Sequence, residues 1–358
     1  MEKRGVGLNQ QAQTHYTDHV APMCVIMGIP MIFIDEHNYA LGSKYYPGLD
    51  AQFIPYEKLT REYLITHYDV FFMTDLWDKE DFHNKYKVLE KKYHKTLRNV
   101  HCPHGFSDKG FYLKKCVNED ITLIYGQNML DLLKNEGVLD KLKNYVISGN
   151  FRYTYFKQNR AFYDEIMAKE VLSHFPKKQP IILYAPTWLD MIDSTTFFDA
   201  HQYIIGNLPD SYNMIVKLHP RLEQDNNALF IHILAQYENK PNVLFLKDFP
   251  PIFPLLAHTD IYLSDMSSIG YDFLPFNRPM FFLNKQKLNP RTDRSLYLFR
   301  CGVEIKPDAY PLLYQAIDAY LPDDTKFTDI RNKVYQYTFG QERSFSDIKN
   351  DVIQVYSS

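Results

Sequence analysis

The sequence predicts an α/β fold of two domains, each built on a parallel sheet. Three observations predict it: the length, the alternation of short apolar runs with helical stretches, and the polar residues that stand where those runs stop. At 358 residues the chain exceeds one typical domain of ~150 residues and can bury a core in each of two. Hydrophobic residues at 45% and charged residues at 23% exclude a disordered chain.

The second half is the more legible. An apolar run at 181–185 ends at Pro186, and a helical stretch follows over about 199–208. The run 214–218 stops at His219 and Pro220, and 228–235 reads as a helix. The run 243–246 stops at Lys247 and Asp248, with a short helix over 253–258 behind it. The run 261–263 ends at Ser264 and Asp265; Ser267 and Ser268 then open a helix through Phe273, and a strand follows at 280–283. This alternation implies βαβ units on a parallel sheet covered on both faces. Such sheets bind ligands outside the carboxyl ends of their strands, which singles out Thr187, His219, Asp248 and the segment 265–268.

The first half repeats the theme less cleanly, with strands expected at 31–34, 70–73, 100–103, 121–125 and 145–148 and helices at 86–97 and 129–139. A helix over 162–175 joins the halves, and the Pro-Lys-Lys-Gln-Pro segment at 176–180 is punctuated like a linker. The expected boundaries are an N-terminal α/β domain over 1–160, a linker helix over 161–180, a C-terminal α/β domain over 181–330 and a helical tail over 331–358. The two domains are expected to face a cleft.

Composition narrows the partners. Lys and Arg total 40 against 43 Asp and Glu, a net charge of -3, so no global field attracts nucleic acid or an anionic membrane. An anionic ligand must be held by local groups. The 4 cysteines are scattered, which indicates neither a disulfide framework nor a zinc knuckle and makes a reducing cytoplasm the simplest home. The most apolar stretch, 24–34, is about half the length of a spanning helix and is interrupted by Gly28 and Pro30. No membrane span or secretory leader is expected.

Several familiar sites are absent. Gly5 and Gly7 lack a third glycine and a preceding strand, and no G-x-x-x-x-G-K-[ST] segment occurs. No D-x-D segment is present, which argues against a nucleotide diphosphate held through an Asp-bound metal. His101, Cys102, His104 and Cys116 match no standard zinc spacing, so no metal ligands are assigned.

What remains handles phosphate. Asp265, Ser267 and Ser268 sit between a strand end and a helix start, where hydroxyls and backbone N–H groups converge on an anion; the bland alternative is an ordinary serine N-cap. Lys217, His219 and Arg221 stand at another strand end, with a plain loop histidine as the alternative. His104, Gly105 and Lys109 follow a third apolar run, and there the alternative is a simple turn. Together they suggest two histidines flanking a phosphate, one to take a proton and the other to steady developing charge.

These residues carry a resemblance. His104 and Gly105 with Lys109, Gly149 with Arg152, Tyr-Ala-Pro-Thr-Trp at 184–188, Lys-Leu-His-Pro at 217–220, Ser-Asp-Met-Ser-Ser at 264–268 with Asp272, and Asn-Arg-Pro at 277–279 occur in this order. The set resembles the CDP-glycerol glycerophosphotransferase family, over about residues 100–285. The resemblance implies a GT-B fold of two facing Rossmann-like domains and transfer of glycerol phosphate from CDP-glycerol to an acceptor hydroxyl, releasing CMP, in building teichoic acid-type polymers. It makes His104 the general base and His219 the stabiliser of the pyrophosphate. Asp265, Ser267 and Ser268 are expected around the donor phosphates with Thr187, Lys217 and Arg221, Arg152 near the donor, and Gly105 and Lys109 on the acceptor side. CDP-glycerol is then a substrate, no cofactor is required, and a divalent cation is left open.

The sequence also departs from the family. Phe106, Ser107 and Asp108 stand where Thr-Pro-Leu is usual, Leu189 where an Arg follows Pro-Thr-Trp, and Phe151 and Thr154 where Pro and Asp are usual. The departures at Phe151, Thr154 and Leu189 keep a GT-B glycosyltransferase or an epimerase using a nucleotide sugar as the alternative, and a catalytically silent binding module is the third. Lys85, Lys87, Lys91, Lys92, Lys95 and Arg98 flank an apolar ridge of Tyr86, Leu89, Tyr93 and Leu97. That helix either lies on an anionic membrane surface or packs one face on its domain. The lipid-linked acceptors of the resembled family favour a cytoplasmic protein acting at the inner face of the cell membrane.

Overall fold

The structure, a computed structural model, describes residues 4–9, 13–76 and 79–357, the side chain of Phe111 excepted. The chain divides into two compact units, residues 1–158 with 337–358 and residues 159–336.

The first unit holds a seven-stranded sheet of β1 (Gly5–Asn9), β2 (Met31–Phe33), β3 (Ala51–Phe53), β4 (Val70–Met73), β5 (Arg98–His101), β6 (Ile121–Ile124) and β7 (Tyr145–Ile147). Its order is β3-β2-β1-β4-β5-β6-β7, with every pairing parallel. The apolar strands expected from the sequence are all present; β1 and β3 are additional. β1 escapes the apolar pattern because of its two glycines. A Cβ on Gly7 would lie 2.2 Å from Cys24 Sγ and 3.0 Å from Val20 Cγ1, so glycine is what allows helix α1 (Thr14–Met27) to lie against this strand. Helix α2 (Glu36–Tyr45) is capped by Asp35, which accepts from Asn38 N–H at 2.8 Å. Helix α3 (Arg61–His67) is capped in the same way by Thr60.

Helix α4 (Lys79–Tyr93) settles the lysine-rich segment. It ends four residues short of the expected Leu97, where His94 adopts φ 50°. Tyr86 and Leu89 are buried in a core cluster with Val6, Leu8, Ile32, Phe71 and Leu97, while Lys85, Lys87, Lys91 and Lys92 are exposed. The apolar ridge is consumed by the domain's own core, so it does not offer a face to a membrane. No helix among the described residues is long and apolar enough to cross one. Helices α5 (Gln127–Asn135) and α6 (Phe151–Gln158) complete this part of the unit.

The second unit begins with α7 (Arg160–Glu170) and holds a six-stranded parallel sheet: β8 (Ile181–Tyr184), β9 (Asn213–Lys217), β10 (Val243–Leu246), β11 (Ile261–Ser264), β12 (Met280–Leu283) and β13 (Val303–Ile305). The order is β10-β9-β8-β11-β12-β13, so chain order reverses between β8 and β11. Helices α8 (Phe197–His201), α9 (Arg221–Asp225), α10 (Asn227–Tyr237), α11 (Ile252–Ala257) and α12 (Ile269–Phe273) connect these strands. One cluster spanning Ile182, Tyr184, Ile204, Met214, Val216, Phe230, Leu263 and Phe281 packs sheet against helices. The linker helix expected over 161–180 falls within this unit, where His258 Nε2 lies 2.9 Å from Asp164 Oδ1 on α7.

Helices α13 (Leu313–Tyr320) and α14 (Thr328–Phe339) follow, and α15 (Phe345–Ser357) ends the chain. Arg331 is fully buried on α14, donating to Cys301 O at 2.8 Å and to both oxygens of Asp324. The helical tail expected over 331–358 returns to the first unit from Tyr337 onward. There Asn128 Nδ2 donates to Thr338 Oγ1 at 2.9 Å and Tyr337 OH to Asp131 at 2.6 Å.

Candidate functional site

In the second unit the residues singled out by sequence stand at the carboxyl ends of β8, β9 and β11, around the β8/β11 reversal where doubly wound sheets bind ligands. Their tasks differ. Asp265, expected beside the donor phosphates, is 1% exposed and accepts from Thr187 N–H at 2.8 Å and from Thr196 N–H and Oγ1 at 2.9 and 3.0 Å. A carboxylate so engaged holds the loop after β8 against the end of β11, and Thr187, expected on the donor phosphates, is itself buried in that junction. Arg221, also expected on phosphate, stacks its guanidinium 3.8 Å from the Trp188 ring centroid and lies 3.9 Å from Asp225. Asp225 in turn accepts from Leu189 N–H at 2.9 Å, so the loops after β8 and β9 are tied together.

His219 is half-buried after β9. Its Nδ1 accepts from Arg221 N–H at 3.2 Å, which places the proton of the neutral ring on Nε2. Lys217 is half-buried at the end of β9, its Nζ 3.5 Å from Lys247 O. Ser267 and Ser268 are half-buried at the start of α12, and Ser268 makes no side-chain cap bond. Ser267 Oγ accepts from Ile269 N–H at 3.4 Å, so the serine N-cap alternative describes Ser267 and not Ser268. The Asn-Arg-Pro segment is structural: Asn277 takes φ 48° and Arg278 donates to Ala257 O and Thr259 O.

In the first unit His104 follows β5, on a loop that Tyr125 holds from both sides. Tyr125 OH donates to Pro103 O at 2.8 Å and accepts from Gly105 N–H at 3.2 Å. Gly105 has φ 92°, a conformation that fits glycine. Lys109 is half-buried and donates its N–H to Ser107 Oγ at 3.2 Å. Burial pushes His104 down to about 4, so the ring is neutral at pH 7 with one lone pair.

Arg152, expected near the donor, belongs to this unit. It is 2% exposed on α6 and pairs with Asp18 of α1 at 2.9 Å; Asp18 also accepts from Tyr46 OH at 3.0 Å. Around His104 lie Tyr16, Tyr112 and His19, at ring-centroid distances of 5.8, 5.4 and 6.4 Å. Burial first, then the charge of Arg152, holds His19 well below the usual histidine range. Sequence reasoning missed Tyr16, Asp18 and His19. The signal was there, in polar residues spaced His15, His19 along a stretch that proves to be α1. Among the described residues no group of three or more His, Cys, Asp or Glu is placed to hold a metal ion.

Fold and strand-end polar groups together define a protein of the GT-B-like class. Over its whole length the chain matches the structure of the wall teichoic acid polymerase TagF, with a TM-score of 0.63 and 12% identity, covering 100% of this chain and 89% of that one. The motif resemblance is borne out over residues 145–299, which match the family described as CDP-Glycerol:Poly(glycerophosphate) glycerophosphotransferase; His104, Gly105 and Lys109 lie outside that stretch. The teichoic acid glycerol-phosphate primase of Bacillus subtilis (strain 168) is 31% identical over 109 residues, 30% of this chain and 26% of that protein. The teichoic acid poly(ribitol-phosphate) polymerase of Bacillus spizizenii is 25% identical over 155 residues, 42% of this chain and 24% of that protein. The matched stretches thus span about a quarter of these relatives' own lengths.

Proposed function

We propose that this protein transfers a polyol phosphate unit, glycerol phosphate first among them, from a CDP-activated donor to an acceptor hydroxyl on a lipid-linked or polymeric cell-envelope glycan, releasing CMP. The observation that carries the reading is the family match over 145–299, whose motif residues Thr187, Lys217, His219, Ser267 and Ser268 stand at the carboxyl ends of β8, β9 and β11. The acceptor oxygen attacks the donor's β-phosphorus. His104, neutral at pH 7, takes the hydroxyl proton; His219 Nε2–H, Lys217 and the two serine hydroxyls bind and steady the phosphates. Asp265 and Arg221 act behind them by bracing the loops. Gly105 and Lys109 shape the acceptor side.

The nucleotide-sugar alternative rested on three departures from the family, and two now lose weight. Phe151 and Thr154 are buried residues of α6, and Thr154 Oγ1 donates to Glu342 at 3.3 Å, so they fill helix packing. Only Leu189 lies at a strand-end loop. Ribitol phosphate is the other donor to assay, since one relative polymerises it. A lipid-linked acceptor would bring the chain to the inner face of the cell membrane. The test is to incubate purified protein with CDP-glycerol, CDP-ribitol or UDP-sugars, with glycerol phosphate-bearing acceptors, and follow nucleotide release with and without a chelator. CMP release by the wild type that is lost in His104→Ala is the expected result; turnover of a UDP-sugar alone, or full activity of His104→Ala, overturns the reading or the assigned base.

A further inference from the structure

Two enclosed ring nitrogens belong to neighbouring histidines of the first unit. His19 Nδ1 and His104 Nδ1 are each buried with no hydrogen-bond partner among the described residues. An enclosed polar atom without a partner is costly, and native structures satisfy nearly all of them. The rings stand edge to face at 85° with centroids 6.4 Å apart, and no direct bond joins their Nδ1 atoms; a buried polar atom without a protein partner is one that an ordered water can satisfy. His19 is only 8% exposed and firmly placed, because its neighbour Asp18 is held by Arg152 and Tyr46.

Both rings are neutral at pH 7. The titratable groups that act on His19 are His15 on α1, Arg152 on α6, and His101 and His104 from β5 and its loop; burial and the nearby positive charge of Arg152 both disfavour a second cation there. A neutral ring carries one N–H and one lone pair. His104 can take a proton at Nε2 only if its own proton sits on Nδ1, and an N–H on Nδ1 needs an acceptor.

We propose that His19 is a positioning residue that fixes the tautomer of His104: one water between the two Nδ1 atoms accepts from His104 Nδ1–H and donates to His19 Nδ1, leaving the His104 Nε2 lone pair for the acceptor hydroxyl. The assignment rests on the reaction proposed above. In that step the acceptor O–H bond breaks and its proton goes to His104 Nε2. The acceptor oxygen bonds to the donor's β-phosphorus, and the phosphorus–oxygen bond to CMP breaks with its electron pair leaving on CMP.

The test uses the full chain with 15N-labelled histidine and two-bond 1H–15N spectra, which distinguish the two tautomers; His104→Gln identifies the His104 signals. The expected wild-type result at pH 7 is Nδ1–H on His104. His19→Ala should convert a large share to Nε2–H and lower kcat for CMP release by at least about 10-fold with little change in donor KM. His19→Gln, which offers a carbonyl acceptor, should recover most of both. A wild-type His104 carrying its proton on Nε2, or a His19→Ala protein with unchanged ring spectra, overturns the proposal. If the wild type releases no CMP from any donor, the proposed reaction fails, while the ring spectra still decide the tautomer. Should His19→Ala not fold, the wild-type and His19→Gln spectra carry the decision.

Discussion

The polar groups of the two units are satisfied in opposite ways. At the strand ends of the second unit, Asp265 takes three donors from the loop after β8, Arg221 lies on Trp188, and His219 Nδ1 is used by Arg221 N–H. In the first unit Asp18 and Arg152 satisfy each other, but beside them the Nδ1 atoms of His104 and His19 are enclosed without partners among the described residues. The lesson is a division of labour. One region spends its charged side chains on holding its strand-end loops in shape, whereas the other keeps imidazoles neutral and desolvated, as the proposed proton transfer requires.

That contrast can be broken, beginning with the largest expected effect. His104→Ala should lower CMP release by about 10³-fold, the usual weight of a general base, while urea unfolding shifts little. An equal loss of activity and stability would show that His104 is structural. Asp265→Ala should do the reverse. Thr187 N–H, Thr196 N–H and Thr196 Oγ1 lose their acceptor, and stability should fall by roughly 3 kcal/mol in urea melts, with Asp265→Asn costing less. A donor affinity that collapses in Asp265→Ala at undiminished stability would place the carboxylate on the ligand instead.

Acid should act mainly on the first unit. An unfolded histidine titrates near 6.5. Folded His104 is pushed down to about 4, and His19 and His101 are also held low by burial. Between those values the unfolded chain binds more protons, so stability present above about pH 6.5 is lost progressively as pH falls toward about 4. Urea midpoints at pH 7.5 and 5 measure the loss, and His101→Gln should make the slope shallower; an unchanged slope in His101→Gln and His19→Gln would show that these histidines are not the cause. The smallest effect belongs to Arg221→Ala, about 0.5–1 kcal/mol from the lost stacking on half-exposed Trp188, read as a small shift in melting temperature. A larger drop in donor affinity would return Arg221 to the phosphates.

The sequence by itself determined the α/β class, most of the strands and which polar residues stand at the strand ends of the second unit. Apolar runs such as 181–185 and 261–263 announce buried parallel strands without help from neighbours, and the polar residue that stops each run is by construction at its carboxyl end. The tertiary structure decided what each of those residues does. Asp265 and Ser268 are three residues apart, yet one is sealed behind a loop and the other left at a helix start, a difference made by Thr187 and Thr196 arriving from far along the chain. Only packing revealed β1, whose Gly7 is chosen for the closeness of α1 and carries no strand propensity. The neighbourhood of His104 was illegible for the same reason. His19, Arg152 and Tyr125 reach it from α1, α6 and the end of β6, and no local pattern records that such distant segments fold to a common place.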